Sequence, residues 1–242
     1  KNIEPVLYRP FDIRYTYYTG KSRGFHCTPR GDVMRHMLAG ENLGLIFHKR
    51  EELQISYAHF LITDKIIEHG GLSSKTTCYL APLYLYPEKE RNNPKHGAKI
   101  MMLFEPKAEY AVRKPNIEPK FYKKLEKTFD EKPAPEEILY YIYGIFYSNT
   151  FRTKYAEFLK IDFPRVPFTA DYEVFKKVTE YGKQLADLHL LKSQALNIPI
   201  AKYRGKGNND RIKKIQYDKK TNCVYINNDK YFDGITPELW NY

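Results

Sequence analysis

Cysteine is scarce in this chain. Its 242 residues hold three, Cys27, Cys78 and Cys223, far apart and without a CxxC or Cys/His cluster. That spacing argues against a disulfide framework or a structural zinc site and leaves reduced, intracellular thiols, with a cytoplasmic setting, as the simplest reading. Long apolar runs are missing too: nothing approaches the roughly 20 residues needed to span a bilayer. The opening KNIEPVLYRPFD has no apolar signal core and no initiator Met, so the chain reads as a piece cut from a longer polypeptide.

Catalytic signatures are equally sparse. There is no GxGxxG, GxSxG or HExxH, and no Asn/Asp-Pro-Pro-Tyr/Phe stretch of the kind that holds a flipped base. Asp130-Glu131-Lys132 has the tail of a nuclease-like acid-x-Lys pattern, but it sits in a Pro-rich charged segment, whereas two-metal chemistry needs rigidly held carboxylates. The seven histidines are scattered, and Asp32 with His36, four apart, reads as a structural contact. Catalytic, cofactor-binding and metal residues are therefore expected to be absent.

What is abundant is positive charge and tyrosine. The net charge of +11 favours a polyanionic partner, either nucleic acid or an acidic membrane surface. Aromatics make up 15% of residues, with 22 Tyr against one Trp. Tyr joins a flat apolar face to a polar tip, which suits surfaces that stack on something.

The pattern is organised around Pro135 to Phe168. Apolar residues recur at helical spacing (Ile138, Leu139, Ile142, Ile145, Phe146, then Phe151, Tyr155, Phe158, Leu159), which predicts an amphipathic helix, or two with a break at Ser148-Asn149. So many aromatic rings predict packing on more than one side. Before it, Val6 to Tyr18 is β-prone with a turn or edge at Pro10. A basic loop from Thr19 to Arg30 precedes a short helix starting near Asp32, and strands follow in LGLIFHKR, SYAHFLITDKII and YLAPLYLY. After it, Val174, Phe175, Val178, Tyr181, Leu185, Leu188 and Leu191 predict a second helix capped by Thr169 or Asp171, packed antiparallel to the first. Asp218 to Asn222 reads as a hairpin turn, and no internal repeat is apparent. KYRGKGNN, from Lys202, is basic and glycine-rich but lacks the Gly-Lys-Ser/Thr ending of a P-loop.

The expected fold is α+β, with a β-rich N-terminal recognition part packed on a two-helix spine and a returning C-terminal β-hairpin. The expected divisions are residues 1–105, a β-rich DNA-recognition part; 106–134, a charged Pro-rich linker with a short helix; 135–196, the helical spine; and 197–242, C-terminal strands packing back on the recognition part.

YRPFDIRYTYY, RGDVMRHML, HFLITDKIIE, APLYLYP, ILYYIYGIFYSNTFRTKYAEFLKIDFPRVPF and ITPELWNY, in that order along nearly the whole chain, resemble signatures of the C-terminal specificity region of Type ISP and related single-chain, Type IIG-like, restriction-modification enzymes. The resemblance implies a non-catalytic domain that reads double-stranded DNA, in a polypeptide that methylates adenine and cleaves DNA. It implies an upstream methyltransferase module as partner, and S-adenosylmethionine, Mg2+ and, in Type ISP members, ATP as cofactors held outside this chain. The family pattern runs on past WNY, so Tyr242 is expected to be a truncated end.

Residues suited to phosphates and base edges supply the candidates. They are Lys21, Ser22, Arg23, Arg30 and Arg35; Lys49 and Arg50; Ser73, Ser74 and Lys75; and Lys202, Arg204, Lys206, Asn208 and Asn209. On the spine, Arg152 and Lys154 are the residues placed to meet a phosphate. The alternative is a helical scaffold that docks the methyltransferase module and makes little direct contact with bases.

Overall fold

The computed structural model describes residues 2–22, 28–49, 60–72, 76–87 and 113–241. They form an α+β fold that divides into two compact units, residues 1–191 and 192–242.

The first unit opens with a hairpin, β1 (Ile3–Arg9) and β2 (Asp12–Tyr17), turning at Pro10-Phe11 with Phe11 in the left-handed region (φ 64°). The helix α1 (Gly31–Leu38) follows. It begins about two residues earlier than the sequence suggests: Arg30 takes the capping position in left-handed backbone (φ 51°), without a side-chain cap, and Asp32 lies in the first turn. The strands β3 (Gly44–His48), β4 (Leu61–Thr63), β5 (Ile66–Ile67) and β6 (Cys78–Pro82) come next, then the short pair β7 (Tyr84–Leu85) and β8 (Lys114–Pro115). The order β4-β3-β6 makes one antiparallel sheet, and β2-β1-β5 a second, in which β5 runs parallel to β1.

Four helical segments lead to the spine and complete it. They are α2 (Pro119–Phe129), α3 (Pro135–Phe146), α4 (Asn149–Lys154) and α5 (Ala156–Ile161). The break falls at Ser148, whose hydroxyl accepts the Phe151 N–H. Pro135 starts α3 where no intrahelical N–H is needed, and Glu137 accepts the Ala134 N–H (2.8 Å).

As its aromatic content predicts, α3 is packed on two sides. Leu139, Tyr143 and Phe146 meet Leu45, Phe60 and Ile62 of the β3 sheet, while Ile138 and Tyr141 meet Leu125, Phe129 and Phe175. The tyrosine hydroxyls are spent internally: Tyr147 donates to Phe60 O (2.5 Å) and Tyr141 to Pro167 O (3.0 Å).

The long helix α6 (Tyr172–His189) is capped by Asp171, which accepts the Val174 N–H (3.1 Å). It differs from expectation in two ways. Glu137 meets Lys176 near both helix starts (2.6 Å), and Tyr143 meets His189 near both ends (2.5 Å), so α3 and α6 run in the same sense, not antiparallel. The intervening chain, with α4 and α5, carries α6 back to the start of α3. The buried stripe of α6 is only partly the expected apolar one: Phe175 is buried and Val178 and Leu185 pack against the core, but Thr179, Gly182 and Ala186 also face inward, while Val174 and Tyr181, and Leu191 beyond the helix, are exposed. Small residues are needed there because the helices nearly touch. A Cβ at Gly182 would stand 1.9 Å from Tyr140 O.

The second unit starts with a single 3-10 turn (Gln194–Asn197) and builds one antiparallel sheet from β9 (Lys202–Gly205), β10 (Gln216–Asp218), β11 (Cys223–Tyr225) and β12 (Lys230–Asp233). Its order is β10-β11-β12-β9, so β9 and β10 are edges. The hairpin turn between β10 and β11 spans Lys219 to Asn222, as the sequence suggests. A short helix, α7 (Pro237–Asn241), ends the unit, and Trp240 stacks on Tyr217 (centroids 4.9 Å apart).

Candidate nucleic-acid interface

In the first unit, Lys21 and Ser22 sit exposed in the loop after β2, and Arg30 is exposed at the head of α1. The loop lies against that helix start. A Cβ at Gly31 would stand 2.7 Å from Gly20 O and push the loop away, while Gly20 itself adopts φ +68°, where a side chain would be strained. Beside it opens a cleft of about 720 Å3 lined by Lys21, Arg35, Tyr18, Asn2 and Glu4. The structure therefore brings two candidates, Lys21 and Arg35, to one surface, with Glu4 offsetting part of their charge.

Arg35 is also a structural residue: its guanidinium donates to Tyr86 O (2.9 Å). Tyr18 holds the loop base, donating to Pro29 O (2.5 Å), and burial followed by the charge of Asp32 pushes its hydroxyl up to about 12. His36 does not pair with Asp32. It is buried and accepts the Tyr86 N–H at Nδ1 (2.9 Å), and burial followed by Arg35 holds its pKa below the usual histidine value.

A buried amide fixes this region. Asn42 donates to His36 O (3.0 Å) and Tyr84 O (2.8 Å) and accepts from the N–H groups of Leu43 and Tyr84 (both 3.0 Å). All four hydrogen-bonding positions of the amide are used, tying the end of α1 to β7 and the chain entering β3.

Lys49 is exposed at the end of β3, its ammonium 5.4 Å from the ring centre of Phe163. Phe163 stands edge-on to Tyr79 and Phe47, with centroids 5.2 and 5.7 Å away. Tyr79 and Phe163 are each 40% exposed, so a cation and two flat rings share a surface. Arg23, Arg50, Ser73, Ser74 and Lys75 lie outside the described residues.

On the spine, the expectation for Arg152 is corrected. Its Nε donates to Phe146 O (2.7 Å), capping the last turn of α3, and its guanidinium lies 4.5 Å from the Tyr147 ring centre. Lys154 is exposed. Asp130-Glu131-Lys132 is spent on packing: Asp130 ends α2 in left-handed backbone, Glu131 accepts from the Tyr172 hydroxyl, and Lys132 lies over the Tyr122 ring. Among the described residues no group of three His, Cys, Asp or Glu side chains could hold a metal ion, and no helix is long and apolar enough to cross a membrane.

In the second unit, Lys202 and Arg204 project from the edge strand β9, and Lys206, Asn208 and Asn209 follow it. Arg204 is partly neutralised by Asp233 (2.9 Å), and Asn209 accepts the Arg211 N–H (3.1 Å). Sequence reasoning missed three further cations of the same exposed segment, Arg211, Lys213 and Lys214. The signal was the run Arg-Ile-Lys-Lys, hidden beside a strand-like pattern. From Lys192 onward the chain carries ten Lys/Arg against five Asp/Glu.

A family model described as the Type ISP C-terminal specificity domain matches residues 1–242. None of the curated proteins matches the chain. Among the solved structures that match are three similar over 100% of it. They are the ATP-dependent Type ISP restriction-modification enzyme LlaBIII bound to DNA (21% identity, TM-score 0.65), the DrdV-DNA complex (22%, 0.70), and a nuclease-deletion mutant of the Type ISP restriction-modification enzyme LlaGI in complex with a DNA substrate mimic (20%, 0.59). The chain spans 14%, 22% and 19% of those polypeptides.

Proposed function

The chain belongs to the family of Type ISP C-terminal specificity domains, and from that membership we propose that it is the DNA target recognition domain of a restriction-modification enzyme. The family match across residues 1–242 carries this reading. The net charge of +11 and the exposed cations of both units support it. Lys21, Arg30, Lys49, Lys202 and Lys206 meet phosphates, which supply affinity and position the domain. Ser22, Asn208 and Asn209, with Arg23, Arg50, Ser73, Ser74 and Lys75, are the reserve for base edges. Arg204 contributes after loosening from Asp233, and Arg35, held on Tyr86 O, lines the cleft beside Lys21. Tyr79 and Phe163 offer faces on which a sugar or base can rest beside Lys49.

The domain performs no chemistry of its own. Adenine methylation and cleavage, with S-adenosylmethionine, Mg2+ and ATP, belong to the rest of the polypeptide. Docking of the upstream methyltransferase module is a second role. It is supported by the outer end of the β1–β2 hairpin, where Ile3 and Tyr17 are cross-strand neighbours 69% and 52% exposed, with Tyr15 75% exposed beside them.

Selection from a randomised duplex pool, followed by fluorescence anisotropy, tests the reading. The folded chain should enrich one sequence and bind it with an affinity that falls steeply with salt. Failure of the folded chain to bind any duplex at low salt would overturn it.

A further inference from the structure

Residues 202 to 216 are all exposed, yet the backbone after β9 is not free. Asn227, 7% exposed, donates from Nδ2 to Asn209 O and Arg211 O (both 3.1 Å), and its Oδ1 accepts from the N–H groups of Asp229 and Lys230 (both 2.8 Å). Ile226 O accepts the Lys213 and Lys214 N–H groups (2.9 and 3.3 Å), and Asp229 O accepts that of Lys206 (3.3 Å). A surface segment in which every residue is exposed is thus pinned along its length from the turn between β11 and β12.

What the segment presents is charge of one sign. Its single carboxylate, Asp210, is taken up by the Tyr203 hydroxyl (2.5 Å) and by the Lys230 ammonium (3.6 Å). Lys206, Arg211, Lys213 and Lys214 have no carboxylate within 4.0 Å among the described residues. Holding four unopposed cations on a fixed backbone is unfavourable in isolation and is relieved by a polyanion. Fixing the loop beforehand removes the ordering cost that a flexible loop would meet on binding.

We infer that residues 206–215 form a preformed platform for the phosphodiester backbone of a duplex, presenting Lys206, Arg211, Lys213 and Lys214, and that Asn227 is its positioning residue. The inference rests on the DNA-reading role proposed above and adds to it where backbone contacts lie and what holds them. Asn227 touches no nucleic acid; it sets the loop.

The whole chain, with duplex binding followed by anisotropy across a salt series and hydrogen exchange over residues 206–215, tests this. Replacing Arg211, Lys213 and Lys214 together by Gln should weaken binding. It should also flatten the dependence of log K on log salt by about 2.7, from about 0.9 per phosphate contact. N227A should leave that slope unchanged, because the cations remain, while weakening binding about three- to tenfold and speeding exchange of the Lys213 and Lys214 amides. A triple variant that binds with the parent's affinity and slope overturns the platform while leaving the DNA-reading role intact. Parent-like affinity in N227A, with exchange accelerated, overturns the positioning role alone. If the parent chain binds no duplex, the recognition reading and the platform fall together.

Discussion

Replacing Gly182 by Ala is the sharpest perturbation of the spine. The added Cβ would stand 1.9 Å from Tyr140 O, 2.8 Å from Tyr140 C and 3.0 Å from Gly144 N. Each of these is backbone and cannot swing aside as a side chain would. Ordinary contact begins near 3.4 Å, so α6 has to withdraw from α3 by about 1.5 Å at the crossing, enough to forfeit more than half of each local dispersion contact. Overpacking of this kind costs about 1–3 kcal/mol, and a backbone clash belongs at the upper end. Alanine's better helix propensity returns about 1 kcal/mol. The net loss of about 2 kcal/mol corresponds to a fall in Tm of about 4–8 °C for a chain of this size. Thermal unfolding followed by circular dichroism measures it. A G182A protein with unchanged or raised Tm would mean that the two helices do not cross in contact at this position, and the account of the small-residue stripe would fail.

Three further outcomes follow from the geometry. Changing Lys21 and Arg30 together to Gln should reduce the salt slope of duplex binding by up to about 1.8, with the thermal midpoint unmoved because both side chains are exposed. N42A leaves buried backbone groups of His36, Leu43 and Tyr84 without their partner and should destabilise by about 2–4 kcal/mol in urea unfolding, where a loss below about 1 kcal/mol would contradict the staple. Burial, and then the nearby Arg152, holds the pKa of His189 below its unfolded value, and Tyr143, Tyr147 and Phe11 surround the ring. The unfolded chain therefore takes up a proton that the folded chain refuses, so this stability is complete above the unfolded histidine pKa of about 6.5 and is lost as pH falls through the window below it. Tm should drop between about pH 7.5 and pH 5.5, and H189Q should shrink the drop, while His36, shifted in the same direction, keeps part of it.

Local patterns made a turn or edge at Pro10, the break at Ser148 and a cap at Thr169 or Asp171 legible, because each is decided by a few neighbouring residues; that Pro10 sits in a hairpin turn and that Asp171 is the cap came from the fold. The burial phase of α6 was legible only in part: Phe175, Val178 and Leu185 pack inward as their spacing suggests, but apolar periodicity also marks the exposed Val174 and Tyr181, while the close crossing selects for smallness at Thr179, Gly182 and Ala186. The direction of α6 depends on a connection of two short helices whose path no periodicity encodes. The parallel pairing of β1 with β5 joins residues some 60 apart in sequence. At the candidate site, exposed cations were legible as a class, but their commitments were not: Arg152 caps α3, Arg35 braces Tyr86 and Arg204 faces Asp233. Nothing in the sequence marks Asn42 or Asn227, since the fold brings Tyr84 to the one and Asn209 and Arg211 to the other.

Those two amides also expose the protein to chemical ageing. Hydrolysis of either side chain would replace an NH2 group that donates to two carbonyls with an anionic oxygen facing the same carbonyls, turning two attractions into two repulsions inside a nearly dry site. The exchange alters the chain by one small group, yet at Asn42 it would uncouple α1 from the strands behind it, and at Asn227 it would release the basic segment. Asn42 and Asn227 are only 8% and 7% exposed, so water reaches them mainly when the structure opens. Local opening at these two joints would then set the pace at which a stored preparation loses its shape.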